Sequence, residues 1–126
     1  MTYEAETGFV RFVQNGTISE EDARDIVARY ASLTVDDALF ILGDHRHATN
    51  TTAGARKMFT QHDQPVDVYY AAYGASFAFR VVITLILKAM SVVPPRIAGS
   101  ILVDEAEARA WLTDKKRDHF ARRAKR

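Results

Sequence analysis

The sequence contains no cysteine, which excludes disulfide bonds and metal sites built on thiolate ligands. It also lacks a segment long and apolar enough to cross a membrane as a helix. The most apolar run, between Arg80 and Lys88, is far shorter than the ~20 residues that a bilayer requires. Met1 is followed by neither a basic segment nor an apolar one of signal-peptide type. We therefore expect a cytoplasmic protein without a membrane span.

The composition is typical of one globular domain, with 126 residues, 48% hydrophobic and 26% charged. The charge is unevenly distributed. Residues 1–114 carry 10 basic and 15 acidic side chains, whereas residues 115–126 carry 7 basic and 1 acidic. We therefore predict a domain over residues 3–114 and a basic helix end or tail over 115–126. The part beyond about Lys116 is expected to be dispensable for the fold.

The basic tail has two interpretations. Its cations could contact nucleic acid or an anionic membrane surface by releasing counterions. They could equally form a solvated helix end, where basic side chains are favourable. Because the rest of the chain is acidic and has no second basic stripe, we expect no specific nucleic-acid binding and at most a weak contact with anionic surfaces.

The apolar pattern predicts strands that alternate with helices. Residues 3–6 and 9–14 are predicted as two short strands, followed by a turn at Asn15-Gly16. The later predicted elements are a helix after Ser19, a strand over 38–43, a polar loop from Asp44 to about Thr51, a helix over 52–61, a strand over 66–73, a helix over 76–90, a strand over about 98–103 and a helix capped by Asp104. This order predicts an α/β fold with about four helices on a central sheet of four to five strands. The sheet should be mostly parallel, with an antiparallel addition at its start and right-handed crossovers.

The helix over 76–90 is the most unusual predicted element. Its polar side chains, Ser76, Arg80, Thr84 and Lys88, recur every four residues and form one thin stripe. The remaining apolar arc is wider than that of an ordinary surface helix. The helix is therefore either wedged between the sheet and its neighbours or offers a surface to a partner. We expect it to be largely buried, with Arg80 and Lys88 reaching solvent. The apolar side chains assigned to this interaction helix are Phe77, Phe79, Val82, Ile83, Ile86 and Leu87.

The order of these segments resembles a STAS-type domain over roughly residues 3–114. The resemblance is carried by the paired strands at the start, the buried strand ending at Gly43-Asp44, the helix after Asn50-Thr51-Thr52-Ala53-Gly54, the Gly74-Ala75-Ser76 turn and the closing segment from Val103 to Leu112. STAS domains occur in bacterial anti-sigma factor antagonists and sulphate transporters, and some single-domain relatives are grouped with lipid-transfer domains. The resemblance implies a regulatory module that binds other proteins.

The resemblance also implies a phosphorylation site. In the antagonists, the helix after the third strand begins with an Asp-Ser-Ser-Gly-type motif whose hydroxyl is phosphorylated by a partner kinase. The matching position here contains Asn50, Thr51 and Thr52. A phosphate there would lie at a helix N-terminus and would repel an acidic partner. The alternative is that both threonines are helix caps and nothing more.

Two polar segments are expected to meet at one edge of the sheet. If the third and fourth strands are neighbours, as the resemblance implies, the segment after one faces the segment after the other. The residues assigned to this ligand edge are His45, His47, Asn50, Thr51, Thr52, Tyr73, Gly74 and Ser76. Two helix N-termini would make the edge favourable for an anion, such as a phosphate, a nucleotide or a carboxylate of a partner.

Two catalytic or metal-binding alternatives are weaker. Asp44, His45 and His47 contain metal-ligand types, but side chains of a loop need not converge and no third histidine lies nearby. Ser76, Asp44 and His45 are the residue types of a hydrolase triad. However, Ser76 does not lie in a Gly-x-Ser-x-Gly elbow, and its position suits a helix N-cap. We therefore expect no catalytic residue, no metal and no cofactor.

These observations lead to a ranked functional hypothesis. The first candidate is a non-catalytic regulatory or protein-interaction module of STAS type, switched by phosphorylation at the start of the second helix. It would bind a protein partner and form a two-fold homodimer, which buries surplus apolar surface. The alternative is a carrier of an apolar or lipid-like ligand, in which residues 77–90 line a cavity. An enzyme ranks third.

Overall fold

The strands and helices alternate along the chain. A computed structural model describes residues 1–33, 38–61, 66–90 and 97–124. The described elements are β1 (Thr2–Glu4), β2 (Phe9–Ile18), α1 (Glu20–Leu33), β3 (Ala38–Thr51), α2 (Ala53–Gln61), β4 (Asp67–Tyr73), α3 (Phe77–Met90), β5 (Ile97–Leu102) and α4 (Glu105–Ala124). No helix of the described segments is long and apolar enough to span a bilayer.

The five strands form one sheet in the order β1-β2-β3-β4-β5. β1 pairs antiparallel with β2, and the other three pairs are parallel. This arrangement confirms the predicted fold class, including the antiparallel addition at the start. It also makes β3 and β4 neighbours.

Helices cover both faces of the sheet. Alternate residues of a strand point to opposite faces, and β3 shows the division. Phe40 packs in one cluster with Leu112 of α4. Ile41 packs in a second cluster with Ala23 of α1 and Ala55 of α2. We call these two sides the α4 face and the three-helix face, because α3 joins α1 and α2 on the latter.

Two predicted loops are instead parts of strands. The Asn15-Gly16 turn is wrong, because β2 continues to Ile18 and pairs with β3 on both sides of this dipeptide. Register shifts flank Gly16, whose φ of 76° suits a bulge. The polar loop from Asp44 to Thr51 is also wrong, because this segment forms the second half of β3. Its backbone pairs with β2, so strand pairing stabilises an extended segment that carries no apolar pattern.

α3 is less buried than its sequence predicts. Phe79 and Ile83 are buried, and Arg80 and Lys88 are exposed as expected. However, a row of large apolar side chains on α3 is also exposed, consisting of Phe77, Val81 and Leu85. The reason is position: α3 packs against α2, β3 and the edge strand β5, so its opposite side meets no described element of the chain.

The basic C-terminal segment continues α4 rather than leaving the domain. His119 is buried, and its Nδ1 lies 3.0 Å from the Tyr69 hydroxyl. Arg122 donates a hydrogen bond to the same hydroxyl at 3.1 Å. Phe120 packs near Phe40, with ring centroids 6.3 Å apart. The segment expected to be dispensable therefore covers part of the α4 face.

The two sides of α3 should respond differently to the same substitution. We expect Ile83→Asp to lower the free energy of unfolding by about 4 kcal/mol, because it places an unpaired charge in the core. Leu85→Asp is the matched control on the exposed side, with an expected change below about 1 kcal/mol. Urea unfolding at low protein concentration measures both. Equal losses for the two variants would contradict this placement of α3.

Candidate functional site

The pleat of β3 separates the side chains expected at one ligand edge. Asp44 pairs in register with Tyr73, and both side chains lie on the α4 face. His45, the next residue, points to the three-helix face and lines a cavity there. His47 and Asn50 are exposed toward the end of β3. The expected edge is therefore two separate polar sites on opposite sides of the sheet.

On the α4 face, Asp44 is held by its neighbour on the strand. Arg46 Nη2 donates to Asp44 Oδ2 at 2.7 Å, and the Arg46 backbone amide donates to Oδ1 at 3.0 Å. The hydrogen bonds from the Arg46 side chain lower the pKa of Asp44 to about 2, against the opposing effect of burial. Gly74, with a φ of 77°, leaves room for the Arg46 side chain, which a Cβ would overlap. Both charges are thereby satisfied within the chain.

A second ion network ties the start of the chain to α4. Arg109 Nη2 donates to Glu4 Oε2 at 2.8 Å, and Arg109 Nε donates to Glu105 Oε2 at 2.8 Å. Arg11 Nη2 reaches Glu105 Oε1 at 3.3 Å, and the Tyr73 hydroxyl donates to the same oxygen at 3.1 Å. Burial, followed by the nearby carboxylates, raises the pKa of Tyr73 to about 12. Charge here is balanced, so the network serves to join β1, β2 and α4.

On the three-helix face, three polar side chains form a hydrogen-bonded chain. Gln14 Nε2 donates to the carbonyls of Gly16 and Asn50, at 3.1 and 3.0 Å. Gln14 Oε1 is therefore the atom that faces His45 Nδ1 at 3.0 Å, and Nδ1 must carry the proton. In the neutral ring, Nε2 is then an acceptor, so the Tyr70 hydroxyl donates to it at 2.8 Å. The Gln14 contacts thus assign every donor in the chain.

Burial keeps His45 uncharged. The residue is 4% exposed, and desolvation lowers the pKa of its imidazole to about 4, although the charge of Asp44 acts in the opposite direction. Gly43 makes the contact with Tyr70 possible, because a Cβ at that position would lie 2.6 Å from Tyr70 Oη. A neutral imidazole offers no positive charge, so His45 does not contribute to the anion site that the sequence suggested.

The two threonines at the start of α2 have different roles. Thr52 Oγ1 accepts a hydrogen bond from the Ala55 amide at 3.1 Å and is the N-cap of α2. Thr51 is 2% exposed and lines the interior cavity. Ser76 Oγ accepts from the Phe79 amide at 3.3 Å, which is the predicted N-cap of α3. Of the two candidate phosphorylation sites, only Thr52 is accessible in this conformation.

The described residues are not arranged as the metal site or the catalytic triad would require. Asp44 and His45 point to opposite faces of the sheet, so they cannot converge on Ser76 or on one ion. In the described part of the chain, no three histidine, aspartate or glutamate side chains lie close enough to hold a metal.

The carrier alternative predicted that residues 77–90 line a cavity, and the structure contains a cavity on the three-helix face. It has a volume of about 100 Å³ and a mostly apolar wall between the sheet and α1, α2 and α3. The available signal was the surplus of apolar residues on α3, four of which line it: Phe79, Ile83, Ile86 and Leu87. Two polar residues of the wall, His45 and Thr51, lie in the segment that was predicted to be a loop.

Comparison with known proteins found no match to this chain among protein-family models, curated proteins or solved structures. The STAS resemblance therefore remains a prediction.

The neutral state of His45 predicts a loss of stability in mild acid. Between pH 7 and pH 5 the unfolded chain protonates this histidine near its ordinary pKa of 6.5, whereas the folded state resists protonation until about pH 4. The free energy of unfolding should therefore fall by about 2 kcal/mol over this interval. The pKa values of Glu4, Asp44 and Glu105 are also lowered, but these carboxylates take up protons mainly below pH 5. Their effect on the free energy of unfolding therefore falls mostly outside this interval.

Urea unfolding at both pH values, on the parent protein and on His45→Gln, measures the effect. Glutamine does not titrate, so the variant should lose most of the difference between pH 7 and pH 5 whatever its absolute stability. An unchanged pH dependence in His45→Gln would contradict a neutral, buried His45.

Proposed function

We propose that the protein is a non-catalytic interaction module of STAS type that assembles through the exposed side of α3. The observation that carries the proposal is a row of apolar side chains four residues apart. Phe77 is 82% exposed, Val81 51% and Leu85 62%. Contiguous apolar surface on a soluble protein typically marks an interaction site. We call this row the α3 stripe.

The proposed occupant of the α3 stripe is a second copy of the chain. The neighbouring element, β5, is the edge strand of the sheet, and Leu87 of α3 packs over Gly99 of β5. Edge strands that remain unpaired are usually protected by charged residues or proline. The β5 sequence, Ile-Ala-Gly-Ser-Ile-Leu, contains neither. An uncharged edge beside an apolar helix is a continuous surface suited to association.

A two-fold axis normal to the sheet would bring both parts of this surface, the β5 edge and the α3 stripe, against their counterparts in a second copy. Antiparallel pairing of the two β5 strands would continue the sheet into a ten-stranded one across the dimer, since each copy has a five-stranded sheet. The same operation places both α3 helices on the same side, next to one another. Closed two-fold dimers are the commonest form of homo-oligomer.

The non-catalytic part of the proposal is supported by how the polar side chains are used. Asp44 is bound by Arg46, and Glu105 by Arg109. Ser76 caps a helix, and His45 is fixed by Gln14 and Tyr70. The three residues considered for a hydrolase triad, Asp44, His45 and Ser76, therefore all have structural partners, and so does Glu105.

A charge placed on the α3 stripe should separate the dimer. We expect the parent protein to scatter light as a dimer at micromolar concentration and Leu85→Glu to scatter as a folded monomer. The buried charges would repel each other across the two-fold axis. Val13→Glu is the matched control, because Val13 is exposed and apolar but lies on β2. A parent protein that is monomeric at every concentration would refute the proposal.

The proposed regulatory switch at the start of α2 belongs to Thr52. Thr52 is partly exposed, and a phosphate there would lie beside the backbone amides of the first helical turn. Arg56 lies one turn further on and donates to the Thr51 carbonyl. Its guanidinium is therefore close enough to pair with a phosphate on Thr52. Phosphorylation at this position adds nearly two negative charges to a surface that a partner would contact.

Phosphosite mapping on protein isolated from its own cells tests the switch. The expected result is phosphate on Thr52 and none on Thr51, because Thr51 is almost completely buried in the folded domain. Thr52→Glu should then remain folded, with a loss of about 1 kcal/mol from the altered cap. Phosphate on Thr51 alone, or on neither residue, would contradict the assignment.

A further inference from the structure

The cavity on the three-helix face has the size of a single small ring. Its volume is about 100 Å³, and it is partly open to solvent. An engineered apolar cavity of about 150 Å³ in another protein binds benzene, so this one suits a ligand of similar or slightly smaller size. The wall consists mainly of aliphatic and aromatic side chains from α1, α3 and the sheet, including Ile26, Ile41, Phe79 and Ile83. Such a wall favours a neutral ligand, because a charged one would be desolvated without a counter-ion.

One polar position in the wall is the Tyr70 hydroxyl. Its proton is donated to His45 Nε2, as the Gln14 contacts require. The Tyr70 oxygen therefore offers only acceptor capacity, and no described residue donates a hydrogen bond to it. Burial raises the pKa of Tyr70 and keeps it protonated, so this arrangement persists at neutral pH. A ligand that meets Tyr70 should bring a hydrogen-bond donor.

The second polar position is Thr51. Although this residue is almost completely buried, its hydroxyl makes no hydrogen bond to any other described residue. Among the described residues, no fully enclosed side-chain polar atom lacks a hydrogen-bond partner, so the Thr51 hydroxyl is accessible from the cavity rather than sealed in the core. Thr51 lines the same cavity as Tyr70. An unengaged hydroxyl in the wall of an apolar cavity is an independent indication that a ligand completes the site.

We propose that this cavity binds a small neutral molecule of single-ring size that carries one hydroxyl group, with phenol as the simplest representative. The ring would contact the apolar wall formed by α1, α3 and the sheet. The polar group would donate to Tyr70 and accept from Thr51. This ligand site goes beyond the proposed assembly through the α3 stripe, which lies on the opposite side of the same helix.

Titration with phenol and benzene, followed by the methyl NMR signals of isoleucine, tests the proposal. Phenol should shift the signals of Ile26, Ile83 and Ile86, which line the cavity, and leave Ile101 unchanged. Benzene should bind about tenfold more weakly, which corresponds to ~1.4 kcal/mol, a typical hydrogen-bond contribution. Absence of shifts with saturating phenol, or equal affinity for the two compounds, would overturn the proposal.

Two kinds of variant identify the site. Tyr70→Phe and Thr51→Val should each reduce the tenfold preference for phenol and leave benzene binding nearly unchanged. Ile86→Trp fills the cavity and should abolish binding of both compounds, whereas Leu85→Trp, on the outer side of α3, should not. Binding that survives Ile86→Trp would place the ligand elsewhere and refute the site.

The two proposals fail separately. Leu85→Glu, the variant designed to separate the dimer, should bind phenol as the parent protein does, because Leu85 does not line the cavity. A monomeric parent that binds phenol would refute the dimer alone. A dimeric parent that binds no phenol would refute the ligand site alone.

Discussion

The pleat of β3 is the constraint on which the rest of the structure depends. This strand lies at the centre of the sheet, with β2 and β4 as neighbours and helices over both faces. Its side chains therefore have to alternate between two interiors. Asp44 and His45 are adjacent in sequence but have opposite electrostatic environments as a result. The carboxylate is paired with Arg46 and has a pKa of about 2, whereas the imidazole is desolvated and has a pKa of about 4. One is charged and the other neutral at pH 7.

The sequence was sufficient for the order of the elements, because apolar periodicity reports which residues share a face. It was not sufficient for the ends of β2 and β3. Residues 44–51 are polar, and they are extended because β2 pairs with them, which is a tertiary effect. The sequence analysis placed His45 and Tyr73 at one edge because it expected β3 and β4 to be neighbours. The two strands are indeed neighbours. The prediction missed that a continuing strand sends His45 to one face and Tyr73 to the other.

α3 shows a second limit of periodicity. Its pattern identified the apolar arc but not how much of that arc the chain itself would cover. The structure divides the arc into two parts. Ile83 and Leu87 face the sheet and the cavity, whereas Phe77 and Leu85 form part of the exposed α3 stripe. The position of α3 over the edge strand β5 decides the division, because no described element lies beyond it. Assembly and ligand binding are thus proposed for opposite sides of one helix.

The strand β3 carries a neutral histidine, His45, into the interior of the three-helix face in a defined tautomer. Long-range ¹H–¹⁵N NMR of the His45 ring tests this most directly. We expect a protonated Nδ1 and an Nε2 that accepts a hydrogen bond, because Gln14 Oε1 and the Tyr70 hydroxyl impose these roles. The ring should also stay neutral as the pH falls to about 5, since the pKa of His45 is about 4. A proton on Nε2 in the neutral ring, or titration near the ordinary pKa of 6.5, would contradict this placement of His45.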